Sequence, residues 1–114
     1  MVTQRNYVPE RGDIVYLGFD PTKGREQRGY RPALVMSPAL YNGKSSLALM
    51  MPITSKRKGY PFEVALPQGL TTEGVVLVDQ VKCLDWRSRQ AKFVESVPAK
   101  LVAEVQAKIE PLLF

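Results

Sequence analysis

The sequence predicts a mainly β fold with appended helices, an α+β chain in which a small, strongly bent sheet or partly open barrel is closed by a C-terminal amphipathic helix. Three observations support this. Short runs rich in β-branched and aromatic residues recur along the chain, separated by clusters of Gly, Pro, Asn and Asp. After Pro98 the apolar period changes from that of strands to that of a helix. The chain has 114 residues, enough to bury one core and too few for two, so residues 1–114 are expected to form a single domain.

"DIVYLGF", Asp13 to Phe19, is apolar on both faces and is read as a strand covered on both sides. The polar stretch "DPTKGREQRGY" follows as a long loop, and Ala33 to Met36 form a second strand. Ser37 and Pro38 resemble an N-cap and first helical residue, with Asn42-Gly43 as the stop of a short helix. "SLALMMPI" supplies a third strand and "PFEVAL" a fourth. "GVVLVDQVKCL" is read as one fifth strand whose apolar density falls into alternation after Val78, and "QAKFVES" as a sixth. Leu101, Val102, Val105, Ile109, Leu112 and Leu113 then recur at three- and four-residue intervals, a stripe expected to face the core.

Composition narrows the chemistry. There is no histidine and a single cysteine, Cys83, so a Ser-His-Asp triad, a Cys-His pair, a two-histidine ribonuclease mechanism and an internal disulfide are all excluded. The usual Cys/His zinc spacings are excluded with them, and no metal or cofactor is expected. No phosphate-binding glycine loop or dinucleotide turn is present. The longest apolar stretch falls far short of the roughly 20 residues that span a bilayer, and no signal-peptide core precedes it, so no membrane and a cytoplasmic location are expected.

Sixteen Lys and Arg against 11 Asp and Glu give a net charge of +5, which favours an anionic partner. The bases concentrate in two loops. Lys23, Arg25, Arg28 and Arg31 surround Glu26, and Lys56, Arg57 and Lys58 follow Thr54 almost directly. Arg31 at the mouth of one strand and Thr54 at the end of another suit phosphodiester chemistry, in which an Arg fork and a hydroxyl stabilise charge on phosphorus oxygens while RNA supplies its own 2′-hydroxyl as nucleophile.

Each residue also has a structural reading. Arg31 alone would be a surface ion-pair residue, Thr54 a strand-end hydroxyl bonded to nearby backbone, and Lys56 to Lys58 a solvated edge. Trp86 beside Arg87 would either stack on a base or fill core or interface space, and Cys83 would be a small buried hydrophobe.

Three segments in order, "GDIVYLGFDPTKGREQRGYRPALVMSP", "PITSKRKGYPFEV" and "VLVDQVKCLDWRSRQ", resemble the MazF/PemK family of toxin endoribonucleases, the mRNA interferases of toxin–antitoxin systems, over nearly the whole chain. The resemblance implies a small SH3-like β-barrel of the PemK/CcdB kind that works as a homodimer. It also implies metal-independent, sequence-specific cleavage of single-stranded mRNA, leaving 2′,3′-cyclic phosphate and 5′-hydroxyl ends. The "RP" arginine falls on Arg31, which would contact the scissile phosphate and assist proton transfer. The "PxT" threonine falls on Thr54, and the "EQ" glutamate on Glu26, which would orient Arg31 or help move a proton. Lys23, Arg28, Lys56, Arg57, Lys58, Gln80 and Arg87 are the expected RNA-binding residues. The partner implied is a small acidic antitoxin with a disordered tail laid over the basic groove. Some family members carry a histidine before the "RP" arginine and an acidic residue two before the "DP" aspartate, where this chain has Tyr30 and Gly18. The alternative reading is a non-catalytic toxin of related fold that poisons a protein target such as DNA gyrase.

Overall fold

The computed structural model describes residues 6–20 and 29–114. Among these residues seven strands, β1 (Asp13–Gly18), β2 (Tyr30–Val35), β3 (Leu47–Thr54), β4 (Glu63–Ala65), β5 (Val75–Leu77), β6 (Lys82–Asp85) and β7 (Lys92–Ser96), form one antiparallel sheet. Helices α1 (Ala39–Ser45) and α2 (Ala99–Leu113) complete it. The strand order is β4-β5-β3-β2-β1-β7, with β6 also paired to β3.

The bend of the sheet originates in β3. Leu47 to Met50 pair with Asp85 to Lys82 of β6, whereas Ile53 and Thr54 pair with Val76 and Val75 of β5. One strand thus takes two partners along its length. The run read as a single fifth strand is accordingly broken: a 3-10 turn, Val78–Gln80, carries the chain from β5 to β6 as β3 curves.

Alternation along the strands creates two cores. Ile14, Leu34, Met51 and Ile53 face Val105 and Leu101 of α2, while Val15, Leu17, Ala33, Val35, Ala48 and Met50 face Leu84 and Trp86. Both faces are therefore covered, which is why β1 to β3 lack a polar face. Burying Leu101 and Val105 contributes roughly 2 kcal/mol each. The apolar stripe of α2 outlasts the sheet, however. Ile109 is partly covered, but Leu112, Leu113 and Phe114 are exposed, contrary to the expectation of a fully buried stripe. Cys83 likewise lies on the outward side of β6, next to the inward Leu84, and is exposed rather than buried.

Helix α1 is capped differently from the local pattern. Pro38, not Ser37, occupies the cap position. The Ala39 N–H donates to Glu10 Oε1 at 2.9 Å, while the buried Ser37 hydroxyl donates to Asn42 Oδ1 and accepts from the Leu49 N–H. Asn42 is not a stop. Its side chain is fully buried and donates to the Pro9 and Ser37 carbonyls, and the helix runs on to a left-handed Ser46. No helix among the described residues is long and apolar enough to cross a membrane.

Glu10, Asp85 and Glu95 tie loops to this frame. Glu10 accepts from the Ala39 and Arg11 N–H groups, and Asp85 from the Ser88 N–H and Ser46 hydroxyl; both are held below the usual carboxylate range by these donors. For Glu95, partial burial pushes upward, but the Thr71 and Thr72 N–H groups at 3.0 and 2.7 Å leave it depressed as well. A carboxylate depressed in the fold adds stability that is complete above its ordinary value, here 4.5 or 3.8, and lost as pH falls through the folded value. Urea midpoints are expected to be level from neutral pH down to about 5 and to decline below about 4.5, and Glu10→Gln and Glu95→Gln are expected to flatten that decline. A midpoint that rises on acidification would contradict the assignment.

Candidate functional site

The ladder between β2 and β3 ends at the pair Ala33 and Pro52. Just beyond it, Pro32 and Arg31 continue one strand while Ile53 and Thr54 continue the other, now paired to β5. Continuing that register by two residues sets Arg31 across from Thr54. The alternation agrees, because Arg31 is in phase with Ala33 and Val35, and Thr54 with Ala48 and Met50, all in the same core cluster. The structure therefore brings the two leading candidates to the same face, where two central strands part.

Arg31 is half-buried, opposite Leu17 of β1. Thr54 is only 5% exposed, and its Oγ1 accepts the Lys56 N–H at 3.1 Å. That bond is the local backbone contact expected of a strand-end threonine, and it has a chemical consequence. A hydroxyl has one proton and two lone pairs; with a lone pair committed to Lys56, its proton is available to an external acceptor.

Behind Thr54 sits Gly74 with φ +124°, a conformation other residues rarely adopt. A Cβ there would fall 2.2 Å from the Thr54 carbonyl oxygen. Only glycine lets the turn before β5 approach the end of β3 so closely.

The basic loop begins at once. Lys56, Arg57 and Lys58 are exposed, and the Lys58 and Gly59 N–H groups donate to the Glu63 carboxylate at 3.1 and 3.0 Å, fixing the loop to β4. On the other flank, the Phe19 N–H donates to Gly29 O and the Gly29 N–H to Asp20 Oδ1, closing the base of the loop before β2. Lys23, Glu26 and Arg28 lie outside the described residues. Gln80 ends the turn where the edge of β3 passes from β5 to β6, and is half-buried.

Arg87 does not join the pair. It follows β6, whose Asp85 pairs with Leu47 at the opposite end of β3, about 23 Å of strand from Thr54. Its guanidinium lies 4.5 Å from the Trp86 ring centroid and donates to Gly43 O. Trp86 is buried and donates from Nε1 to Asn42 O, so it fills the core. The arginine that sequence reasoning missed is Arg89, whose Nη1 donates to the Gly18 and Asp20 carbonyls at 2.8 and 2.9 Å and anchors the loop base beside β2. Nothing in the local sequence distinguishes it from Arg87; only the fold shows which one turns toward β1.

The two departures from the family pattern are adjacent. Gly18 and Tyr30 are ladder partners, and a Cβ at Gly18 would touch the Tyr30 ring at 3.4 Å. The Tyr30 ring also lies against Tyr16 at 5.8 Å, so the larger residue occupies space that a side chain at position 18 would need.

The chain and its fold are shared with known proteins. The chain is 48% identical over 107 residues to Endoribonuclease toxin MazF of Escherichia coli (strain K12), covering 94% of this chain and 96% of that protein. The crystal structure of MazF (Form-I) from Deinococcus radiodurans superposes with a TM-score of 0.91 at 53% identity, covering 94% and 97% of the two chains. MazF in the MazE-MazF (Form-II) crystal structure from the same organism gives 0.85 at 53% identity, covering 94% and 96%. A family model matches residues 10–113. With Arg31, Thr54 and the basic loop set on this bent sheet, the chain belongs to the PemK-like, MazF-like toxins of type II toxin–antitoxin systems.

Proposed function

We infer that this chain is the toxin of a toxin–antitoxin pair, an endoribonuclease that cuts single-stranded mRNA at specific sequences and so halts translation. The observation that carries the reading is the placement of Arg31 and Thr54 on one face where β2 and β3 diverge, with the exposed bases Lys56 to Lys58 starting two residues later.

The RNA 2′-oxygen attacks phosphorus and the bond from phosphorus to the 5′-oxygen breaks, leaving a 2′,3′-cyclic phosphate and a 5′-hydroxyl. A proton leaves the 2′-oxygen and one is delivered to the departing 5′-oxygen. Arg31 grips the non-bridging oxygens with its planar fork and helps position the protons, but a guanidinium, which stays protonated, is a poor base. Thr54 donates its free hydroxyl proton to a phosphate oxygen as charge grows, and Glu26 orients Arg31 or carries a proton. The reaction requires no cofactor or metal. Residues 1–114 act as one catalytic domain, paired as a homodimer in the cytoplasm. A small acidic antitoxin, the counterpart of MazE in the Deinococcus complex, holds it inactive.

The RNA-binding role of the loop is tested by measuring affinity for single-stranded RNA against salt. If Lys56, Arg57 and Lys58 each neutralise a phosphate, replacing all three with Ala weakens binding and makes the slope of log K against log salt shallower by about 2, at about 0.7 per phosphate on a single strand. An affinity unchanged from low to moderate salt would overturn this role.

A further inference from the structure

On the edge of β3 away from β2 and Arg31, a cavity of about 310 Å³ opens at the turn between β4 and β5. Arg57, Leu66, Gln68, Leu70, Glu73 and Gly74 line it. Its position next to Thr54 is set by Gly74, whose turn is in contact with the Thr54 carbonyl.

The walls are held in place. The Leu66 N–H donates to Gly74 O at 3.0 Å, closing the base of the turn between β4 and β5. At the tip of that turn the Thr71 and Thr72 N–H groups are tied to Glu95 of β7. The Lys58 and Gly59 N–H groups, next to Arg57, are tied to Glu63. The cavity is thus preorganised, and its volume falls at the low end of the roughly 300–1,000 Å³ common for small-molecule sites.

Its chemistry selects the occupant. Leu66 and Leu70 offer apolar surface to a flat ring, and Arg57 and Glu73 bring a donor fork and an acceptor to the same opening. A bare phosphate would meet the repulsion of Glu73, whereas a nucleobase presents both donors and acceptors on its edge. We propose that this cavity receives the base of a nucleotide adjoining the phosphate held by Arg31 and Thr54, and that Glu73 selects a base bearing an exocyclic amine. The proposal rests on the ribonuclease reading above and assigns part of its sequence specificity to this turn.

The test uses the full-length chain and a pool of RNA with random sequence, with sequencing of the new 5′-hydroxyl ends for wild type, Glu73→Ala and the isosteric Glu73→Gln. The expected result is a roughly tenfold loss of preference for amine-bearing bases at one position flanking the cut, with preferences elsewhere retained. Should Glu73→Ala fail to fold, Glu73→Gln still reports, because its amide adds a donor and relaxes the preference toward carbonyl-bearing bases. Wild-type cleavage with an unchanged pattern in the folded variants, or a uniform loss of rate at every sequence, would overturn the subsite. Absence of cleavage by the wild type would instead remove the ribonuclease reading on which it stands.

Discussion

Arg31→Ala and Thr54→Ala are each expected to lower the rate of RNA cleavage by on the order of 100-fold or more while leaving the fold intact. The two losses have different origins. Arg31 contributes charge and a planar pair of donors, so Arg31→Lys restores little, because a lysine offers a point charge without the fork. Thr54 contributes one hydroxyl proton, left available by the bond its oxygen accepts from the Lys56 N–H. Thr54→Ser keeps that proton and should retain most activity, whereas Thr54→Val keeps the shape and should not. Single-turnover rates for the five variants, alongside circular dichroism, check the claim; a Thr54→Val rate equal to wild type would refute the role of the hydroxyl.

Gly74→Ala should carry the largest effect on stability. The added carbon would sit 2.2 Å from the Thr54 carbonyl oxygen, at a φ of +124° that strains any side chain, so the end of β3 and the turn before β5 must separate. Strain and overpacking together are expected to cost about 3 kcal/mol, a fall in Tm on the order of 15 °C for a domain of this size. Cleavage should fall at temperatures where the variant remains folded, because the displaced atoms belong to Thr54 itself. The control is Gly69→Ala, which also has positive φ but finds open space around the added carbon and should be less destabilised. Equal Tm losses in the two variants would show that backbone conformation alone, and not contact with Thr54, governs position 74.

Strands β1 to β4 and β7 are legible in the sequence, β1 to β3 because their residues are mostly buried and a run such as "SLALMM" has no other economical reading, β4 and β7 because "PFEVAL" and "QAKFVES" are short β-rich runs. The break in "GVVLVDQVKCL" was foreshadowed where the apolar run loosens after Val78, but its cause lies in the bend of β3, a long-range feature. Ser37 fits a cap by position, yet Glu10, 29 residues from Ala39, supplies the carboxylate instead. Cys83 was misjudged because alternation on the short β6 gives the inward place to Leu84. Arg31 and Thr54 stand as candidates through their motifs. Their convergence depends on a register that periodicity suggests only after strand pairing is known. Arg87 and Arg89 carry the same local signal, and the fold gives them different tasks, one covering Trp86 and the other holding the base of the loop.

The most direct test of the central claim is incubation of the purified chain, freed of any antitoxin, with a long RNA in EDTA, followed by mapping and chemical typing of the fragment ends. The account predicts discrete cuts with 2′,3′-cyclic phosphate on one side and 5′-hydroxyl on the other, lost in folded Arg31→Ala and Thr54→Ala. Intact RNA after exposure to folded wild-type protein would contradict it and point to inhibition through a protein target.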